Sequence, residues 1–150
     1  MAQIADIVAF DGESTPVSHT FYADHVEYAG GDLTARYEEK VAGVPAYAQG
    51  TVSLTRRKVK SGMVRSALRV NIHSLEQASG SNLAGYTAPP KVANTDSYEL
   101  VQWWAPRSVY QGRQNVRTIA RNILNNATTT QTPSTAGFTY DAQVRDIWPN

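Results

Sequence analysis

Six arginine and lysine residues, and no aspartate or glutamate, occur between Thr51 and Leu75. The stretch reads Thr51-Val-Ser-Leu-Thr-Arg-Arg-Lys-Val-Lys60, then Ser61-Gly62, then Met63-Val-Arg-Ser-Ala-Leu-Arg-Val-Asn-Ile-His73. Side chains at i, i+2 and i+4 of a strand share one face, so an acid-free basic segment of this kind is suited to gripping a polyanion. In the second half Val64, Leu68, Val70 and Ile72 fall on one face, and Arg65, Arg69, Asn71 and His73 on the other. In the first half Val52 and Leu54 take the core side, with Thr51, Ser53, Thr55 and Arg57 opposite. Val59 interrupts the pattern near the turn, where Arg56, Lys58 and Lys60 leave the core. A solvated edge strand also carries cations that deter aggregation, but it does not require the exclusion of acids over twenty-five residues. Nucleic acid is the first partner these residues suggest.

Other chemistries find no set of residues to perform them. His19, His25 and His73 are scattered, with no His-Glu-x-x-His or comparable spacing, so no metal site is expected. No cysteine is present, which removes disulfides and thiolate ligands. The chain has no Gly-x-Gly-x-x-Gly, no phosphate loop and no Gly-x-Ser-x-Gly elbow, so it offers no cofactor motif and no sign of catalysis. Glu38-Glu39 is a paired carboxylate only along the chain, since neighbouring residues of a strand point apart. No stretch approaches the roughly 18 apolar residues of a membrane span, and the N-terminus lacks the basic and apolar regions of a signal peptide, so a soluble protein made inside the cell is expected.

The net charge of +1 conceals segregation. Residues 1 to 50 hold eight acids against two bases, whereas residues 51 to 125 hold eleven bases against three acids. At 150 residues and 41% hydrophobic content, one domain with a working core over residues 1–150 is expected.

The elements that must position the basic stretch are mostly strands. Ile4 to Phe10 and Pro16 to Ala23 flank the turn-rich Asp11-Gly-Glu-Ser-Thr15 and predict a terminal hairpin. Gly30-Gly31 closes this unit, and Leu33 to Val41 reads as strand or a turn of helix. Pro45 confines any strand near it to an edge or a start. Residues 76 to 96 are rich in Gly, Ser, Asn, Ala and Pro and read as a long loop. Ser97 to Ala105 predicts a third strand beside the basic pair, on which Tyr98 and Trp103 or Trp104 are candidates for stacking on unpaired bases. Tyr98 and Glu99 compete for the inner face.

Ser108 to Gln111 reads as a capping box that opens a helix. Val116, Ile119, Ala120, Ile123 and Leu124 form one apolar stripe along it, and Arg113, Arg117 and Arg121 a row expected to face solvent. Asn125 to Gly137 is a linker by composition, and Phe138 to Trp148 predicts a short second helix.

This order of elements resembles the coat proteins of single-stranded RNA bacteriophages, the leviviruses. Thr51-Val-Ser-Leu-Thr55 and Arg69-Val-Asn-Ile-His73 are similar to that family's two RNA-facing strands, and Asn115-Val-Arg-Thr-Ile-Ala120 to its helix. The resemblance implies an α+β fold: an N-terminal β-hairpin, a five-stranded antiparallel sheet, and C-terminal helices packing on the partner subunit in an interlocked homodimer. It further implies assembly into an icosahedral shell, with the 76 to 96 loop at the symmetry axes. The sheet would bind single-stranded RNA inside, often one hairpin that represses replicase translation. Thr51 and Ser53 match hydroxyl residues that line an adenine pocket in relatives, and Thr55, Arg57, Arg65, Arg69, Asn71, His73 and Tyr98 join them as expected RNA-binding residues. Arg69 and Asn71 stand where relatives commonly have Thr and Lys. The alternatives are a cellular single-stranded nucleic-acid-binding protein and a protein-only fimbrial or sheath subunit.

Overall fold

A computed structural model describes residues 4–76, 85, 88–127 and 136–148. Six strands, β1 (Ile7–Phe10), β2 (Ser18–Ala29), β3 (Asp32–Glu39), β4 (Thr51–Lys58), β5 (Val64–Glu76) and β6 (Lys91–Trp104), pair antiparallel in chain order as one meander. Tight turns set this order. Gly30 and Gly31 both take positive φ, 61° and 90°, as a two-residue connection between twisted strands requires. Gly62, at φ 82°, does the same for β4 and β5, with the Gly62 amide donating to the Val59 carbonyl at 2.8 Å. Asp11 organises the first turn by accepting the amides of Val17 and Glu13 on Oδ1.

One face of the sheet is apolar and carries the core. Phe21, Ala35, Tyr37 and Val52 form one buried cluster; Leu54, Ala142 and Trp148 form another; Leu68 packs against both. The second cluster exists because the chain returns to the sheet after helix α1 (Tyr110–Leu124). A short helix α2 (Phe138–Tyr140) continues as a π-helical turn over Asp141–Arg145, and Trp148 then lies on the sheet beside Leu54.

Several elements depart from what the residues suggest locally. The hairpin and the sheet are continuous, since β2 pairs with both β1 and β3, giving six strands in place of a hairpin plus five. Of the two readings open for the segment from Leu33, strand is the one formed. The 76 to 96 loop is shorter than its composition suggests: β5 runs to Glu76 and β6 starts at Lys91, because Leu75 and Val92 continue the ladder past a bulge at Ala93. Residues 77 to 84, 86 and 87 lie outside the described residues, as do residues 128 to 135 of the linker. The third strand accordingly begins six residues before Ser97.

The capping box does not form. Helix α1 starts at Tyr110 with Val109 as an uncapped N-cap, and the Gln111 side chain donates from Nε2 to Asn115 Oδ1 at 2.8 Å. What holds the helix start is Arg113, whose Nη1 donates to the Ser108 carbonyl at 2.8 Å and Nε to the Val144 carbonyl at 2.7 Å. Arg117 Nη2 donates to Thr139 Oγ1 at 2.9 Å. Both guanidiniums lie over aromatic rings, Arg113 over Trp104 and Arg117 over Tyr140, each 5.8 Å from the centroid. Burial holds the Arg117 guanidinium below its usual pKa, with Arg121 beside it pushing the same way. The row expected in solvent is therefore the packed face. The carbonyls of the π-helical return need donors, which leucine and isoleucine cannot supply.

Candidate nucleic-acid interface

Direct partners in an antiparallel ladder share a face, so register decides which side chains meet. Thr51 pairs with Asn71, Ser53 with Arg69 and Arg57 with Arg65 across β4 and β5. Asn71 pairs with Ser97, Arg69 with Glu99 and His73 with Thr95 across β5 and β6. Thr51, Ser53, Thr55, Arg57, Arg65, Arg69, Asn71 and His73 thus lie on one polar face, opposite the core. Tyr98 does not join them. It pairs with Val70 on the helix-side face, and Glu99 takes the inner position. Trp103, opposite Arg65, is the aromatic residue of β6 that reaches the polar face, and it is half exposed.

The hydroxyl and amide groups are already ordered by one another. Asn71 Nδ2 donates to Thr51 Oγ1 at 3.1 Å, while Asn71 Oδ1 accepts from Ser97 Oγ at 2.7 Å and Arg69 Nε at 3.1 Å. His73 Nδ1 is 2.7 Å from Thr95 Oγ1, and Thr34 Oγ1 is 3.2 Å from Thr55 Oγ1. Beside this network lies a hollow of about 130 Å³ lined by Asp24, Arg36, Glu38, Thr51, Ser53 and Asn71. Asp24 reaches it because β2 bulges between Ala23 and His25.

The charge of this face differs from the charge of the segment that crosses it. Strands β2, β3 and β6 add Asp24, Glu27, Asp32, Glu38 and Glu99, so four arginines share the face with five carboxylates. Arg36 binds Glu27 Oε1 through Nε and Nη2, at 2.9 and 2.7 Å. Arg65 Nη2 binds Glu99 Oε1 at 2.7 Å. Arg57 Nε lies 3.3 Å from Asp32 Oδ1, an ion pair without hydrogen-bond geometry. Arg69 has no carboxylate partner among the described residues. The sequence pointed to the basic strands and offered Glu99 as one of two candidates for this face, but missed Asp24, Glu27, Asp32, Glu38 and Arg36, whose places on it depend on pairings that no local pattern encodes.

No group of three or more His, Cys, Asp or Glu able to hold a metal ion occurs among the described residues. No helix among the described residues is long and apolar enough to cross a membrane.

An antiparallel sheet with one ordered polar face, and a helix that turns its apolar stripe away from its own chain, leave the lone chain with uncovered apolar surface, as in proteins that function as structural subunits. The chain matches the levivirus coat protein family over residues 2–139 and belongs to it. That makes it a viral capsid structural protein, with its place in the virion, and sets aside the cellular binding module and the fimbrial subunit. No curated relative matches the chain. Among solved structures it is similar to the virus-like particle of bacteriophage EMS014, at 22% identity and TM-score 0.73, over 99% of this chain and 100% of that one. The virus-like particle of bacteriophage NT-214 is similar at 22% identity and TM-score 0.67, over 98% of each chain. That of Beihai levi-like virus 21 is similar at 19% identity and TM-score 0.66, over 85% of this chain and 90% of that one. At these identities the likeness speaks to the fold, which the first two match over nearly the whole chain.

Proposed function

We propose that the chain, a single coat domain, forms an interlocked homodimer that assembles in the bacterial cytoplasm into a closed icosahedral shell. In this reading the polar sheet face binds and packages single-stranded RNA and engages an RNA hairpin to repress translation. The observation that carries it is the apolar stripe of α1. Val116, Ile119, Ile123 and Leu124 are 59, 58, 74 and 61% exposed, while the opposite, arginine-bearing side of the helix is packed. Full burial of such a side chain contributes roughly 1.5–3 kcal/mol, so leaving four of them in water is a large loss for a lone chain. Tyr98 at 51% and Tyr28 at 75% exposure lie on the helix-side face of the sheet and mark the part of it that a second copy's helix would cover. Solved relatives described as virus-like particles support the same assembly.

RNA binding is supported by Thr51, Ser53, Thr55, Arg57, Arg65, Arg69, Asn71 and His73 on one face, with a base-sized hollow beside them. Tyr98 is better assigned to the subunit contact. Expression in bacteria followed by negative-stain electron microscopy, and extraction of the particle contents, tests the whole reading. Uniform closed shells that carry RNA are expected. Small oligomers under assembly-permitting conditions would refute the shell, and empty shells would refute the RNA role. Ile119→Asp with Ile123→Asp should leave neither shells nor dimers, only unstable or aggregated chain; intact shells would place the dimer contact elsewhere.

A further inference from the structure

On the helix-side face, away from the proposed RNA surface, β4, β6 and the start of α1 enclose a cleft of about 270 Å³. Arg56, Lys58 and Arg113 line it, with Trp104 and Pro106 as apolar walls and Asp146 as its one acid. Lys58 is exposed and has no ion-pair partner among the described residues. Arg113 spends Nε and Nη1 on the carbonyls of Val144 and Ser108, which fixes its guanidinium beside the cleft. Arg56 holds the Asp146 carboxylate in a fork, Nε to Oδ1 at 2.9 Å and Nη2 to Oδ2 at 3.0 Å. Asp146 ends the π-helical turn in left-handed backbone, φ 58° and ψ 31°.

Three cations against one carboxylate leave this cleft net positive, whereas on the polar face carboxylates outnumber arginines. The exposed Lys60 and Arg107 stand on the adjoining turn and the approach to α1 and add to the same field. The bidentate Arg56–Asp146 pair shows that the Arg56 fork is presented to an oxyanion at the edge of the cleft. Lysine supplies a point charge and arginine a directional fork, the combination that suits phosphate.

We propose that this cleft is an oligophosphate-binding site, in which Lys58 and Arg113 hold phosphoryl oxygens and the ligand competes with Asp146 for Arg56. The shared chemistry is a run of phosphate groups, either a free oligophosphate or a phosphodiester backbone. The site does not depend on RNA binding by the opposite face, so the two readings fail separately.

Calorimetric titration of the assembled protein with inorganic tripolyphosphate at low salt tests it. One saturable site per chain is expected. Lys58→Glu should weaken it at least tenfold, and Lys91→Ala, which removes a lysine at the far end of β6, by less than twofold. Asp146→Asn tolerates the same backbone and removes the internal rival, so it should tighten binding several-fold. Absence of saturable binding, equal losses from Lys58→Glu and Lys91→Ala, or weaker binding in Asp146→Asn would each overturn the proposal. Given a site, competition by a short single-stranded RNA that disappears in Lys58→Glu assigns it to phosphodiesters. Lack of competition assigns it to free oligophosphates.

Discussion

Glu99→Gln is expected to tighten RNA binding, although it adds no contact to the ligand. Arg65 Nη2 is 2.7 Å from Glu99 Oε1, and the two side chains are 30 and 43% exposed. A pair this open contributes roughly 0.2–1 kcal/mol. For Arg65 to meet a phosphate it must either leave Glu99 or bring a like charge against the phosphate, so that amount opposes binding in the native protein. With tenfold in affinity for each 1.4 kcal/mol, its removal should strengthen binding about 1.4- to fivefold. A glutamine keeps the shape and can still accept from Arg65, so packing is preserved. The assay is fluorescence anisotropy of a labelled single-stranded RNA against a salt series, with dimers held below assembly conditions. One more neutralised phosphate should steepen the slope of log K against log salt by about 0.7. Asp32→Asn should give a smaller gain, because Arg57 is 3.3 Å from its acid and makes no hydrogen bond to it. Unchanged affinity and slope in Glu99→Gln would show that Arg65 meets no phosphate. A gain that survived high salt would show that it is not electrostatic, and would refute the argument equally.

Three further outcomes follow from the packing. His19 bridges Glu39 at 2.7 Å and Asp11 at 3.3 Å, and the hydrogen bond to Glu39 lifts its pKa above the ordinary 6.5, so this clamp should be complete below about pH 6.5 and fade as pH rises through the raised value. The amide of Val17 leads the contacts that hold Asp11 below its ordinary 3.8, so its share is lost only as pH falls through that lowered value. His19→Gln should therefore cost thermal stability between these limits and little at alkaline pH; a loss independent of pH would exclude the clamp. Leu54, fully buried between the sheet and Ala142 and Trp148, should lose roughly 2–5 kcal/mol on change to Ala in urea unfolding. A loss below about 1 kcal/mol would mean the C-terminal segment does not pack there. Gly62→Ala should cost more than about 1 kcal/mol in the same assay, since Gly62 sits at φ 82° and a Cβ there would be 2.9 Å from Pro106 Cγ. An unaffected midpoint would show that the β4–β5 turn relaxes freely.

What could be read in the chain was what a few neighbouring residues decide. The alternation of Val64, Leu68, Val70 and Ile72 against Arg65, Arg69, Asn71 and His73 survives intact because strand periodicity is local. The amphipathic α1 was equally plain, but periodicity reports that a helix has two faces and not what each one meets. Its arginines found carbonyls and rings of the returning C-terminal segment, more than twenty residues away, and its apolar stripe was left outward. Tyr98 and Glu99 could not be told apart by pattern, since a shift of one residue exchanges the faces, and only pairing with Val70 and Arg69 decides it.

Charge shows the same division most clearly. Along the chain acids and bases occupy separate halves, and the sheet undoes this by laying Glu27, Asp32 and Glu38 beside the basic strands. A face whose carboxylates outnumber its arginines attracts a polyanion weakly from a distance, so the proposed RNA recognition there would rest on the ordered donors and acceptors around Thr51, Ser53 and Asn71. Apart from Arg69, the unpaired positive charge of the basic segment lies at its turn, at Lys58 and Lys60. An acid-free stretch thus locates strong phosphate attraction only after the neighbouring strands have been counted, and in this fold the count moves it from the middle of the sheet to the corner beside α1.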